Sequence, residues 1–191
     1  KISSHLKIIS YGTEAMDQST LSDLCKLLPR IDFRQTFGVS ELGVIRAKSE
    51  SRNSLFMKLG GEGVEVRVID DILQIRSQFR MLGYLNAPTP FDIEGWYNTK
   101  DVVEQKNGYF KVTGRISDVI NVGGLKFMAS DVERKALDYP NVSLVKVTPK
   151  QNPITGQHVE LLVEPTNRAL FDKDIMIDYL KSNLCNECLY E

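Results

Sequence analysis

The pattern of apolar and polar residues along the first fifty positions indicates strand, helix and strand in turn. Residues 6–10 (LKIIS) are rich in apolar side chains and predict a buried strand in a parallel sheet. Asp17 or Ser19 can cap the helix that follows, and residues 31–36 are predicted to form the next strand. The apolar face of the helix consists of leucines at helical spacing: Leu21, Leu24, Leu27 and Leu28. This order predicts a strand–helix–strand unit of a parallel α/β sheet, in which ligands bind where strands end.

The pattern changes to period two between residues 54 and 84. Apolar and polar side chains alternate over residues 64–68 and 73–76, and Gly-Gly and Asp-Asp pairs mark turns at the ends of these segments. This alternation predicts antiparallel strands, with Asp70-Asp71 in a turn rather than acting as an acid–base pair. The polar stretch 45–53 before them predicts a loop.

Turn signals and short apolar runs organise the second half of the chain. Asn107-Gly108 predicts a hairpin turn, because Asn-Gly supplies the positive φ angles that a two-residue loop requires. A short apolar run ends in Gly123-Gly124, and a helix is predicted from Ser130 to Tyr139. Two further strands, a Pro/Gly turn between them and a helix over residues 172–183 complete an α+β pattern.

Composition and charge exclude several classes of protein. The 191 residues are 42% hydrophobic and 26% charged, as in a soluble globular protein. A net charge of −1 gives no electrostatic footprint for nucleic acid, and no apolar run approaches the ~20 residues that span a bilayer. Three cysteines, an odd number, fit a reducing cytoplasm better than a disulfide framework. Cys185-x-x-Cys188 has metal-ligand spacing, but a second pair is missing, so no zinc site is predicted.

Three segments carry the candidate chemistry. QTFGVSELG spans residues 35–43, GWYNTKD spans residues 95–101, and GYFKVTGRISDVINVGG spans residues 108–124. Their order and spacing resemble the acyl-adenylate-forming ligases, a family that includes acyl-CoA synthetases, aryl and acyl acid ligases and the adenylation domains of peptide synthetases. A compound match of this length is far more specific than a lone glycine motif.

The resemblance implies an α/β fold with a β-barrel subdomain, followed by a small α+β lid domain. Residues 1–116 would be the C-terminal part of the large AMP-binding domain, with an α/β piece at 1–50 and the barrel at about 54–115. Residues 117–191 would be a truncated lid that rotates about a hinge at Ser117, where the family more usually has Asp or Lys. Both ends of the chain lack an expected neighbour or cap, which predicts a fragment of a larger two-domain adenylating enzyme.

The resemblance also implies contacts with ATP or AMP from two loops. Phe37, in place of the commoner Tyr, would lie against the adenine ring, with Gly38 beside it. Ser40 and Glu41 would be catalytic: the serine hydroxyl meets phosphate, and the carboxylate holds Mg²⁺ on the phosphates. Thr13-Glu14-Ala15 falls at the turn that edges the adenine, although Thr13 replaces the usual Gly and Ala15 the usual Pro. Without the later segments, Ser40-Leu42 is equally a polar loop with a capping serine.

Further contacts implied by the resemblance lie in the third segment and just before it. Asp101 would accept hydrogen bonds from both ribose hydroxyls, and Arg115 would meet the ribose and phosphate with its donor fork. Lys126 falls where the family often has a basic residue near phosphate. Gly123-Gly124 would run alongside the pantetheine arm of CoA, because glycine allows close backbone approach. The alternatives are a strand-start aspartate, a surface arginine, a solvated lysine and a simple turn.

The resemblance implies ATP-dependent activation of a fatty, aryl or other carboxylic acid as an acyl-adenylate, with transfer to a thiol of CoA or phosphopantetheine. One alternative is loading of an amino or aryl acid onto an acyl carrier protein without CoA. An alternative of another class is a non-catalytic nucleotide-binding or interaction module. The phosphate loop and the C-terminal lysine of the family fall outside residues 1–191, and neither Lys173 nor Lys181 has the motif around that lysine, so this chain alone is expected to be inactive.

Overall fold

A computed structural model describes residues 5–184 of the chain, so Cys185 and Cys188 lie outside the described residues. The described residues form two compact units that divide between Ile116 and Ser117. Each unit has its own sheet and its own buried apolar clusters. No helix within residues 5–184 is long and apolar enough to cross a membrane.

The first unit begins with a small parallel α/β element. Strands β1 (Ile8–Tyr11) and β2 (Asp32–Gln35) pair in parallel, and helix α1 (Gln18–Leu27) connects them. Asp17 is the N-cap, and its side chain accepts a hydrogen bond from the Thr20 amide at 2.9 Å. The strand–helix–strand prediction is therefore confirmed. The prediction for Leu27 is wrong, because this side chain is 73% exposed while Leu21 is fully buried.

An antiparallel hairpin follows, where the sequence predicted a loop at Phe37-Gly38-Val39. Strands β3 (Phe37–Val39) and β4 (Gly43–Ile45) pair with Phe37 opposite Ile45. Strands of three residues are too short for alternation to show in the sequence, so the hairpin was missed. The hairpin places Ser40 and Glu41 on its turn.

A six-stranded sheet forms most of the rest of the first unit. Its strands are all antiparallel to their neighbours, in the order β5-β6-β10-β9-β8-β7. They are β5 (Ala47–Ser49), β6 (Met57–Leu59), β7 (Val64–Ile69), β8 (Ile72–Ser77), β9 (Trp96–Lys106) and β10 (Tyr109–Arg115). In the described part of the chain, β5 and β7 are unpaired edges, so the predicted barrel takes the form of a half-barrel. The predicted loop 45–53 is partly wrong, because β5 lies within it and pairs through its backbone despite polar side chains.

Two turns of this sheet confirm predictions from the sequence. Asp70 and Asp71 join β7 to β8 with φ angles of 51° and 62°, and Asn107-Gly108 joins β9 to β10 with φ angles of 51° and 75°. Positive φ at both central residues is the type I′ geometry that matches the twist of a hairpin. The buried core of the sheet consists of Leu42, Ile45, Met57, Leu59, Leu73, Ile75, Val103 and Phe110.

The second unit is an α+β sandwich, as predicted. Its antiparallel sheet has the order β12-β11-β14-β13, and helices α2 and α3 contribute Ala136, Met176 and Leu180 to a shared core. The elements are β11 (Val119–Val122), β12 (Leu125–Met128), α2 (Ala129–Leu137), β13 (Val142–Asn152), β14 (Gly156–Pro165) and α3 (Lys173–Asn183). Helix α2 ends two residues before the predicted Tyr139. Two short 3-10 helices, Ile116–Asp118 and Arg168–Leu170, complete the elements of residues 5–184.

Candidate functional site

An irregular stretch of β9 places Asp101. Three residues, Thr99 to Asp101, face the single residue Leu73 of β8, between the pairs Gln74–Asn98 and Ile72–Val102. Lys100 accommodates the extra residues with a left-handed φ of 62°, and its amide donates to Asn98 Oδ1 at 2.9 Å. Thr99 Oγ1 donates to the Leu73 carbonyl at 2.9 Å and accepts from the Asp101 amide at 3.1 Å. The backbone of Asp101 is thus held by its neighbours in the sheet.

A second bulge, in β10, places Arg115. The register shifts between Val112 and Gly114, and Gly114 has a φ of 156° that suits glycine. Beyond this bulge Arg115 lies directly opposite Asp101, with its Nε 3.4 Å from Asp101 Oδ1. The aspartate side chain is 10% exposed and the arginine side chain is 62% exposed. The Asp101 carboxylate is therefore nearly buried, and the Arg115 guanidinium is accessible to a ligand.

Burial sets the charge behaviour of Asp101. Loss of water contact raises the pKa of the Asp101 carboxyl above its ordinary value, and the Arg115 charge and the Thr99 hydrogen bond oppose that rise only in part. Burial leaves the ionised carboxylate with little stabilisation from water. Hydrogen-bond donors on a ligand would therefore stabilise the ionised form of Asp101.

Glu41 lies on the turn between β3 and β4 and is held at two points by one segment. The Tyr84 hydroxyl donates to Glu41 Oε1, and the Met81 amide donates to the Glu41 carbonyl at 2.9 Å. The Tyr84 hydrogen bond lowers the pKa of the Glu41 carboxyl most, and Tyr97 and the charge of Arg115 lower it further against a smaller effect of burial. Burial, and then the Glu41 contact, raises the pKa of Tyr97 to about 12, so its hydroxyl remains a donor.

The structure thus brings together three residues predicted from the sequence, Glu41, Asp101 and Arg115. Two residues of the same cluster, Tyr84 and Tyr97, were missed as functional residues. Tyr97 was part of the segment over residues 95–101 but had no assigned role; its ring centre lies 5.9 Å from that of Phe91. Tyr84 lies in a long exposed connection, where the sequence carries no periodic signal. Only the position of its hydroxyl beside Glu41 reveals it.

The two predicted adenine loops follow neighbouring parallel strands. Thr36 connects the starts of the two loops, because its amide and its hydroxyl donate to the Tyr11 carbonyl at 2.8 and 3.1 Å. Thr13, Glu14 and Ala15 are all exposed after β1, and Thr13 has a φ of 75°. Phe37 is half-buried and packs against the core of the six-stranded sheet, while Gly38 and Ser40 are exposed. Both loops therefore lie at the carboxyl ends of β1 and β2, where open α/β sheets bind ligands.

The residues around Glu41 fit one kind of metal site. No cluster of three or more His, Cys, Asp or Glu residues that could hold a metal occurs among residues 5–184. Mg²⁺ in phosphate-transfer sites is held by one or two carboxylates, with phosphate oxygens and water as the other ligands. A single carboxylate at Glu41 suits a cation brought by a nucleotide and does not suit a site made of protein ligands alone.

In the second unit, Gly123 and Gly124 form the two-residue turn between β11 and β12. Their φ angles are 59° and 97°, and the Gly124 amide donates to Asn121 Oδ1 at 3.0 Å. Gly123-Gly124 therefore forms the simple turn that was one of its two interpretations, and the contact of this pair with pantetheine stays a prediction. A Cβ on either glycine would have no atom within 4 Å, so the surface beside the turn is open. Lys126 is exposed opposite Asn121, and the predicted hinge residue Ser117 is exposed with its hydroxyl donating to Asp118 Oδ1 at 3.0 Å.

Comparison with known proteins agrees with the motifs. No family model matches the chain. Acyl-CoA ligase ppsA of Aspergillus oryzae is 25% identical over 158 residues, which are 72% of this chain and 28% of that protein. Pyochelin synthase PchD of Pseudomonas aeruginosa is 31% identical over 121 residues, which are 55% of this chain and 22% of that protein. The chain thus spans about a quarter of the length of these relatives.

Solved structures share the fold. ATP-bound MatB of Rhodopseudomonas palustris superposes with a TM-score of 0.80 at 17% identity, covering 96% of this chain and 40% of MatB. Other relatives carry the names acyl-coenzyme A synthetase and triostin synthetase. Taken with the three sequence segments, these matches show that the chain is homologous to acyl-CoA ligases and to pyochelin and triostin synthetases, and they agree with its resemblance to the acyl-adenylate-forming ligases.

Proposed function

We propose that this chain supplies adenosine and metal contacts to an enzyme that activates a carboxylic acid with ATP and passes the acyl group to a thiol. The observation that carries the proposal is the convergence of Glu41, Asp101 and Arg115 in one cluster, in which Arg115 pairs with Asp101 and its charge also acts on Glu41. Three segments far apart in sequence supply these groups. A structural ion pair alone would need only the Asp101–Arg115 contact.

Each residue has a role that follows from its surroundings. The two oxygens of Asp101 suit the vicinal hydroxyls of ribose, and donation from a diol offsets the burial of the carboxylate. The exposed fork of Arg115 reaches the α-phosphate while its Nε stays near Asp101. Phe37 offers a flat apolar face to adenine from the adjacent hairpin.

The reaction requires charge neutralisation more than covalent chemistry by the protein. The acid's carboxylate oxygen attacks the α-phosphorus of ATP, the bond to the bridging oxygen breaks, and pyrophosphate leaves with that electron pair. A bound Mg²⁺ would supply positive charge to the phosphate oxygens, and Glu41 would hold it. Arg115 adds a fixed positive charge at the α-phosphate as negative charge redistributes in the transition state. A thiolate then attacks the acyl carbon and AMP leaves.

In this proposal the pair Gly123-Gly124 takes part in the second half-reaction, and Lys126 supplies a basic group near the phosphate. Open space beside the turn leaves room for a pantetheine arm of CoA or of a carrier protein. The lid role of the unit that begins at Ser117, and rotation about that residue, belong to the same proposal.

Calorimetric titration of the folded chain tests the nucleotide site directly. Wild-type chain should bind AMP and Mg²⁺–ATP weakly, and Asp101→Asn should weaken both, because one ribose acceptor is lost. Asp71→Asn is the matched control, since Asp71 is an exposed turn residue whose left-handed φ asparagine tolerates. A folded wild-type chain that binds no nucleotide at millimolar concentration would contradict the proposed site.

A further inference from the structure

A long irregular connection between two strands contacts one residue of the candidate site, Glu41. Residues 78–95 join β8 to β9 without a helix or strand, apart from an isolated bridge between Phe91 and Tyr97. Connections longer than about 15 residues are uncommon in compact domains and often functional. Leu82 and Leu85 are fully exposed, so apolar packing does not hold this part of the connection in place.

Two contacts from this connection reach Glu41, one to its backbone and one to its side chain. The Met81 amide donates to the Glu41 carbonyl at 2.9 Å, and three residues later the Tyr84 hydroxyl donates to Glu41 Oε1. The backbone contact fixes the turn, and the side-chain contact selects one orientation of the carboxylate. A glutamate has three rotatable side-chain bonds, so such a contact removes most of its freedom.

The contact leaves acceptor positions on the Glu41 carboxylate for a ligand. An ionised carboxylate has about four acceptor positions on its two oxygens, and Tyr84 uses one of them on Oε1. A phenol orients the carboxylate without neutralising it, whereas a lysine or arginine at the position of Tyr84 would compete with a cation.

We propose that Tyr84 is a positioning residue for the nucleotide-bound metal: its hydroxyl holds the Glu41 carboxylate in one orientation, and the remaining acceptor positions of that carboxylate bind the metal. The proposal rests on the function proposed above and deepens it. Tyr84 is 45% exposed, so loss of its hydroxyl is expected to change metal-dependent affinity rather than the stability of the fold.

The experiment compares Tyr84→Phe with wild-type chain for two ligands. Mn²⁺–ATP binding is measured by electron paramagnetic resonance of free Mn²⁺, and adenosine binding by calorimetry. Tyr84→Phe should weaken Mn²⁺–ATP binding about tenfold, the effect of one hydrogen bond to a charged group, and leave adenosine binding unchanged. Tyr109→Phe is the matched control, because Tyr109 lies at the turn end of β10, about 20 Å from Arg115 at ~3.3 Å per residue.

A double variant shows whether Tyr84 acts through Glu41. Once Glu41→Gln has removed the charged carboxylate, adding Tyr84→Phe should cause little further loss of Mn²⁺–ATP affinity. In the ligand-free chain, hydrogen exchange at the Met81 amide should stay slow in Tyr84→Phe, since the backbone contact remains. Equal losses for adenosine and Mn²⁺–ATP, or fast exchange at Met81, would show a structural role and overturn the proposal.

The outcomes separate this proposal from the proposed function. Wild-type chain that binds Mn²⁺–ATP, with Tyr84→Phe binding it equally well, overturns the role of Tyr84 and leaves the nucleotide site standing. Wild-type chain that binds neither Mn²⁺–ATP nor adenosine overturns the nucleotide site and the role of Tyr84 with it.

Discussion

Asp101 and Arg115 lie directly opposite each other on β9 and β10, each positioned by a bulge in its own strand, with Nε 3.4 Å from Oδ1. The pair is asymmetric, because the aspartate side chain is nearly buried and the arginine side chain is mostly exposed. Its two members are therefore expected to affect ligand binding in different ways.

The charge of Asp101 should make adenosine binding depend on pH. Burial raises the pKa of this carboxyl above 3.8, so the group takes up its proton at a higher pH than an ordinary aspartate. A protonated carboxyl has less capacity to accept from the ribose hydroxyls, and affinity for adenosine should fall as pH decreases through that raised pKa. Calorimetry across a pH series measures the midpoint, and adenosine avoids any titration of phosphate.

The same series with Asp101→Asn provides the control. Asparagine does not titrate, so its weaker adenosine binding should be flat over the same pH range. A wild-type midpoint at or below 3.8, or an equal slope in Asp101→Asn, would assign the pH dependence to another group.

Arg115→Lys should separate phosphate recognition from ribose recognition. Lysine keeps the charge but loses the planar donor fork, so AMP affinity should fall about tenfold while adenosine affinity changes little. Arg34→Lys is the control, because Arg34 is also an exposed arginine paired to an aspartate, Asp32 at 2.7 Å. Equal weakening of AMP and adenosine binding would place Arg115 on the ribose alone.

Removal of the cap of α1 should lower stability in a pH-dependent way. Asp17→Ala leaves the Thr20 amide without its side-chain acceptor and should cost about 1 kcal/mol of unfolding free energy in urea at pH 7. Burial raises the pKa of Asp17, but hydrogen bonds from Ser19 and Thr20 outweigh it and lower the pKa from 3.8 to about 2. The stabilisation by the charged cap is therefore complete above pH 3.8 and is lost as pH falls towards 2.

Asp23→Ala is the control for this variant, since Asp23 lies on the same helix with its side chain 75% exposed. It should change stability by less than about 0.5 kcal/mol. If both variants lose the same stability, helix propensity rather than the cap explains the effect.

Limited proteolysis should cut first between Gly114 and Asp118. Residues 115–118 are exposed, and the apolar clusters before and after them are separate. Gel electrophoresis and mass spectrometry should show a fragment beginning near Ser117 that survives further digestion. Early cuts confined to residues 78–95, without such a fragment, would contradict independent stability of the second unit.

Substitution of Gly124 should distinguish a pantetheine contact from a plain turn in the intact enzyme. Gly124→Leu should spare adenylate formation, measured by pyrophosphate exchange, and abolish thioester formation. Because the φ of Gly124 is 97°, a leucine is also strained, and Gly124→Asn provides a smaller side chain that tolerates a left-handed backbone. Parallel losses in both half-reactions, with a lower melting temperature, would indicate the turn alone.

Much of the fold could be predicted from the sequence, because its turns and the start of its first helix depend on residues that are close together in the chain. Asn107-Gly108 and Asp70-Asp71 form the turns that their preference for positive φ indicates, and Asp17 is the N-cap of α1. The hairpin of β3 and β4 was missed because its strands have three residues each. Leu27 has helical spacing but is exposed. Periodicity indicates which side of a helix is apolar, but it does not indicate how much of that side the rest of the protein covers.

The candidate site divides in the same way. Glu41, Asp101 and Arg115 were found through the motifs around them, whereas Tyr84 was not found, because its role depends on where an irregular connection passes. The register that sets Asp101 opposite Arg115 also lay beyond sequence reasoning. Nothing in Asn98-Thr99-Lys100 indicates that Lys100 has a φ of 62° within a strand.

The irregular stretch of β9 limits how this chain can change in length over evolution. Alternate residues of a strand point to opposite faces, so losing one residue from Thr99–Asp101 would reverse the orientation of one flank of the strand. Point substitutions at Val102 or Val112 keep the residue count, but a single-codon deletion would turn Asp101 or the Trp96 flank away from its partners. Related chains that keep the aspartate and the arginine are thus expected to tolerate many substitutions here and few insertions or deletions.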